Sequence, residues 1–288
     1  MRNLIPSFPV PNLSEKDMHR PLTIVALAAG GLFAFASTAT AETITVCANG
    51  CDYTSINDAI DASSNGDVIQ LAAETYFEGE QIDTDGKAIT LRGVLNKAGE
   101  PASVLDGAGA HRVLVCQSGE ASATSFENLV IQNGFSSILG GGMYNDSSSP
   151  ILANCTFTSN SGGDGGGMYN RLSIPTLTDC TFSGNSVTGF ASGGGGMYNE
   201  SSSPALIGCT FAINSATGNF STGGGMYNWN GSNPTLTDCT FTENSADLGG
   251  GMYNDSSSPI LANCTFTSNS ADISGGGLFN SESFPTLT

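Results

Sequence analysis

Three observations predict an all-β chain folded as a right-handed parallel β-helix, a solenoid of stacked coils closed by a short N-terminal capping helix. The hexapeptide Gly-Gly-Gly-Met-Tyr-Asn ends at Asn145, Asn170, Asn199, Asn228 and Asn254, and its variant Gly-Gly-Gly-Leu-Phe-Asn ends at Asn280. A second block recurs in five units: a proline, then Leu-x-[Asn/Asp/Gly]-Cys-Thr-Phe-x-x-Asn. The intervals of 25 to 29 residues suit one solenoid turn each.

The elements follow in order. Residues 1–41 read as a signal peptide: Arg20 precedes an apolar run over 21–36, and Ala39-Thr40-Ala41 fits small-x-small cleavage before Glu42. The run is short for a membrane span, which needs about 20 residues. Three prolines near the N-terminus are unusual for a signal, so translation starting at Met18 is an alternative. Residues 42–135 are expected to hold the cap and the first coils. There Ser55 and Asp58 resemble a capping box, and Ile56, Ala59 and Ile60 share one helical face, predicting a helix over Ile56–Ala62. Asn65-Gly66-Asp67 ends it. Val68 to Leu71 reads as the first strand, and 88–91, 113–115 and 128–131 as further strands.

Residues 136–288 are the repetitive coils. A short strand-like block cannot bury a face alone, but on identical neighbours it stacks at about 4.8 Å. Before each cysteine stands Asn154, Asp179, Gly208, Asp238 or Asn263, residues that tolerate a left-handed backbone. A bend there turns Leu152 and Cys155 inward together. The expected inward columns are Cys155, Cys180, Cys209, Cys239 and Cys264 beside Phe157, Phe182, Phe211, Phe241 and Phe266. In the first coils Leu129 and Ile131 take the same two places. The last five residues, Phe284-Pro285-Thr286-Leu287-Thr288, match Asn233-Pro234-Thr235-Leu236-Thr237, so a fragment stopping in mid-coil is expected.

The pairing of Gly-Gly-Gly-Met-Tyr-Asn with Phe-x-x-Asn resembles the repeats of the polymorphic outer membrane protein family. The stretch from Tyr53-Thr54-Ser55-Ile56 to Asp67-Val68-Ile69 is similar to the cap of pectin-lyase-like β-helix proteins. Together they cover nearly all of 50–288. The resemblance implies a β-helical passenger of a surface-exposed autotransporter, in a superfamily that holds lyases, hydrolases, epimerases and adhesins alike.

Charge narrows the function. The net charge is −18, and beyond residue 41 the chain has five bases against 24 acids, which argues against nucleic acid as a partner. Glycans, or a host or neighbouring-cell surface, fit better. Cys47 and Cys51 bracket a turn and are expected to form a disulfide, whereas the column cysteines lack the C-x-x-C and histidine spacing of a metal site. A lyase needs a basic group, and a hydrolase paired carboxylates. From Val113 onward Arg171 is the one basic residue. Asp106, His111 and Arg112 form the one catalytic candidate, against the plainer reading of turn residues beside a strand. Asp146, Arg171, Glu200, Trp229, Asp255 and Ser281 share one repeat position, which reads as a solvated face. No cofactor is expected; the run Gly162-Gly163-Asp164-Gly165-Gly166 is a weak Ca²⁺ signal.

Residues 139–161 and 248–270 are identical. Such copying favours stacking length or a repeated surface over a unique pocket. The favoured reading is an exported, non-catalytic repeat protein acting in adhesion or glycan contact. The alternatives are a polysaccharide-active lyase, hydrolase or epimerase, and a structural spacer or autotransporter passenger.

Overall fold

A computed structural model describes residues 40–288. Residues 1–39, with nearly all of the expected signal peptide and the alternative start at Met18, lie outside the described residues. Among the described residues, parallel strands build four sheets of ten, eight, six and eight strands in about nine turns. One coil shows the plan: Ile151–Ala153 in the first sheet, Thr156–Thr158 in the second, Ser161–Asp164 in the third and Met168–Arg171 in the fourth.

The two sequence blocks account for three of these walls. The third, Ser-Gly-Gly-Asp in this coil, has no counterpart in the sequence reading, because it lacks the apolar alternation that marks a strand. It is a strand because the coils on either side pair with it. The first strand also lies earlier than expected: Thr43–Val46 pairs in register with Val68–Leu71. The capping helix spans Ile56–Ala62, and its Asp58 N–H donates to the Ser55 hydroxyl. Ile56, Ala59 and Ile60 are buried, and the helix packs on the first strands of the stack.

From Asn128 onward each corner between the first and second walls is left-handed, at φ 51° for Asn154 and Asp179 and 63° for Gly208. The bend puts Leu152 and Cys155 both in the core although they are three apart. The third glycine of every triplet but the last is required by close approach. A Cβ on Gly196 would lie 2.5 Å from the Gly225 carbonyl oxygen and 3.0 Å from the Phe211 ring.

Because the register holds residue for residue from coil to coil on the first, second and fourth walls of the repeat, like side chains stack on like. Phe157, Phe182, Phe211, Phe241 and Phe266 stack face to face at 4.7–4.8 Å with planes within 5°. Such a spacing is the strand spacing itself, so the sheet sets the ring contact. Asparagines, buried at all but the last position of each, form two further columns. Asn185, Asn214, Asn244 and Asn269 each receive the side-chain amide of the coil before, at 2.9–3.0 Å, and Asn160 at the head of the column accepts the Gly134 N–H at 2.8 Å. Asn145 through Asn280 form the other ladder at 2.8–2.9 Å. The Oδ1 of Asn145, at its head, has no partner, since the preceding coil holds Cys116 in that column.

Candidate functional site

The three catalytic candidates of the first coils do separate structural jobs. Asp106 ends the strand Ser103–Asp106 and is only 8% exposed. Its Oδ2 accepts from Gln132 Nε2 at 2.7 Å and Asn133 Nδ2 at 2.9 Å, and its Oδ1 from the Ala108 N–H at 2.8 Å. Burial alone would raise its carboxyl; these bonds outweigh it and hold the group below the usual carboxylate range. Arg112 turns elsewhere. Its Nε and Nη2 donate to the carbonyls of Gly140 and Leu139, its Nη1 to Gln81, and the guanidinium lies over the Tyr144 ring at 4.9 Å. His111 Nδ1 lies 2.8 Å from the Arg112 carbonyl, and its own carbonyl accepts from Phe135. A groove beside Asp106 is lined by Phe77, Asn133 and Phe135 among others, and neither His111 nor Arg112 reaches it. Adjacency in sequence is therefore not convergence in space.

The outward face of the fourth wall carries more chemistry than its reading as a solvated column implied. Asp146, Arg171, Glu200, Trp229, Asp255 and Ser281 stand in register on successive coils. Arg171 lies between Asp146 at 3.5 Å and Glu200 at 3.8 Å. Tyr144 donates to Asp146 at 3.1 Å and Tyr169 to Glu200 at 2.7 Å. Beneath them the tyrosines form an external ladder, with Tyr169 and Tyr198 stacked at 4.7 Å, and burial pushes their phenols far up. Asp164 nearby is also pushed up by burial, and it accepts from the Gly193 N–H at 2.8 Å. The Arg171 side chain is 48% exposed, so solvent screens these ion pairs and each contributes little to stability.

Residues 113–287 match the family described as "Right handed beta helix region". The chain belongs to that family. No curated protein matches this right-handed β-helix in sequence. Among solved structures it is similar to the pectin methylesterase from carrot, at 12% identity over 82% of this chain and 87% of that one, TM-score 0.46. It is likewise similar to pectin methylesterase PemA from Erwinia chrysanthemi, at 13% identity over 86% and 90%, TM-score 0.46. The deglycosylated pectin methylesterase from Aspergillus niger is 15% identical over 85% of each chain, TM-score 0.40.

The thiols of this β-helix sit inside the barrel. Cys155, Cys180, Cys209 and Cys239 are buried and Cys264 partly so. Hydrogen bonding from the preceding thiol, with burial, pushes Cys209 and Cys239 up to about 12. Such thiols stay protonated and unreactive at neutral pH. Cys47 and Cys51 form a disulfide across their turn. Among the described residues no group of His, Cys, Asp and Glu is arranged to hold a metal ion, and no helix is long and apolar enough to cross a membrane.

Sequence reasoning did not single out Glu120, which the fold buries to 2% exposure. Its carboxylate accepts from Thr84 Oγ1, the Gly86 and Ser118 N–H groups and Ser148 Oγ, at 2.8–2.9 Å. Ser148 then heads a buried serine column in which each N–H donates to the hydroxyl one coil on. Only three-dimensional proximity reveals this, since Thr84 is 36 residues away. Burial would raise the Glu120 carboxyl, but its donors outweigh that and hold it low. A depressed folded-state pKa contributes stability above the unfolded value of about 4.3, lost as pH falls through the folded value. Glu120→Gln is expected to be less stable at neutral pH and to lose part of the acid-side slope of unfolding free energy. Urea titrations between pH 3 and pH 7 measure this, and an unchanged slope would show that Glu120 is not linked to folding.

Proposed function

We propose that this chain is an exported, non-catalytic β-helical scaffold that acts at the cell surface or outside the cell by contacting glycans. One observation carries the non-catalytic reading. The acid–base candidates of the first coils, Asp106, His111 and Arg112, are consumed by the fold, with Asp106 holding three donors and Arg112 clamped on two backbone carbonyls. The apolar run before Glu42 and the resemblance to autotransporter passengers support export and display. The acidic surface disfavours polyanions and leaves neutral glycans as the natural contact.

A polysaccharide-active enzyme is the second reading. What favours it is Arg171 between Asp146 and Glu200, a cation flanked by carboxylates on an open face. Incubation with polygalacturonate, esterified pectin and alginate in the presence of Ca²⁺ separates the two. The scaffold reading expects no unsaturated product, no new reducing ends and no released methanol. Product whose formation stops on Arg171→Ala or Glu200→Gln would overturn it and place a catalytic site on the fourth wall.

A further inference from the structure

The stack changes its cross-section at one place. The coils containing Thr75–Tyr76 and Ser103–Asp106 pass to the fourth wall through turns at 77–81 and 107–113. The next coil inserts Phe135–Leu139, the first strand of the third wall. The third wall thus begins in mid-stack, and a groove of about 440 Å³ opens at the step. Phe77 and Ala108 line it from the older turns, Phe135 and Ser161 from the new wall, with Asp106 and Asn133 between.

We infer that this groove binds a neutral oligosaccharide, with sugar rings resting on Phe77 and Phe135 and hydroxyls facing Asp106, Asn133 and Ser161. The inference rests on the glycan-contact reading above and gives it a place. Phe77 is 65% exposed and Phe135 43%, so both rings keep apolar area in water beside a polar floor. A pyranose ring has the complementary character: an apolar C–H face to cover an aromatic ring, and hydroxyls around its rim for polar partners. Asp106 Oδ1 takes only the Ala108 N–H, whereas Oδ2 takes two amides, so Oδ1 retains capacity for a hydroxyl donor. Those same bonds hold the carboxylate and the Asn133 amide in place before any ligand arrives, which lowers the ordering cost of binding. Charge selects the class. A uronate would bring its carboxylate against ionised Asp106 on a chain of net charge −18, while a neutral sugar meets no such repulsion. The step from the older turns to the new wall also occurs once in the stack, so this combination of side chains does not recur on the later coils.

Isothermal titration of the 288-residue chain with xylohexaose, cellohexaose, mannohexaose and hexagalacturonate tests the assignment. At least one neutral hexasaccharide is expected to bind, and hexagalacturonate to bind at least about tenfold more weakly. Phe77→Ala and Phe135→Ala should each weaken the neutral ligand at least about tenfold, with Trp229→Ala, on the fourth wall, leaving it unchanged. Thermal melts confirm that the variants fold; should Phe135→Ala melt early, the more exposed Phe77 carries the test. Neutral binding that both phenylalanine variants leave intact would sink the groove and spare the glycan reading. Preference for hexagalacturonate would sink the choice of a neutral ligand. No binding by any of the four at millimolar concentration would sink both the groove and the glycan reading.

Discussion

Asn214→Ala is expected to destabilise the protein by at least about 3 kcal/mol, far more than an outward substitution on the adjacent coil. The Asn214 Oδ1 accepts both the N–H and the side-chain amide of Asn185, and its Nδ2 donates to the Phe182 carbonyl and to Asn244. Truncation leaves two donors and a carbonyl short of a partner in a fully buried column, at roughly 1–3 kcal/mol each. Water cannot easily replace them, because the column is packed coil on coil. Thr237→Ala, outward and half-buried, should stay within about 0.5 kcal/mol. Asn214→Asp sharpens the argument. It keeps the shape but loses the Nδ2 donor and buries a carboxyl whose pKa must rise. A raised folded-state pKa makes the variant's deficit smallest below the unfolded value of about 3.9 and larger as pH rises above it. Denaturant unfolding of the three variants at two pH values measures this. A cost for Asn214→Ala no larger than that for Thr237→Ala would mean that the amide ladder contributes nothing to holding coils together.

Excising one whole coil should be tolerated, whereas removing a similar length from the cap should not. Deleting residues 223–248 joins Thr222 to Gly249. Thr222 already bridges Leu248 on the next coil, so it stands where Leu248 stands and the triplet glycines follow in place. The flanking coils can then pair Met197 with Met252, Leu206 with Leu261, Phe211 with Phe266 and Asn214 with Asn269, each pair a like-for-like replacement for the lost neighbour. Since each coil touches only its neighbours, the loss is one coil's share of stability. The shortened protein should remain soluble and β-rich, with Tm lower by no more than roughly 5 °C. Deleting residues 55–79 removes the capping helix and the strands Val68–Leu71 and Thr75–Tyr76. That uncovers Leu91 and Leu105 and leaves unpaired strand edges, which template aggregation. Circular dichroism, limited proteolysis and size-exclusion chromatography compare the two. An unfolded coil deletion beside a well-behaved cap deletion would contradict a capped solenoid.

The sequence alone determined the solenoid, its period and its cap, because each rests on a local or recurring signal. Ser55 with Asp58, followed by Ile56, Ala59 and Ile60, specifies a helix start and its buried face within a few residues. The recurrence of Phe157 at Phe182, Phe211, Phe241 and Phe266 can be counted without coordinates. Tertiary structure decided the rest. The Ser161–Asp164 strand has no apolar pattern and exists only because the neighbouring coils offer partners for its backbone. The asparagines after each phenylalanine look like surface residues until stacking places one amide within 3.0 Å of the next. Glu120 became a buried ladder head through Thr84, Gly86 and Ser148, distant in sequence. Asp106 and Arg112, six positions apart, were parted by the turn between them, which sends the arginine to the carbonyls of Leu139 and Gly140. Local pattern reports what a segment can bury; only the stacked coils supply the hydrogen-bond partners that settle where a polar side chain goes.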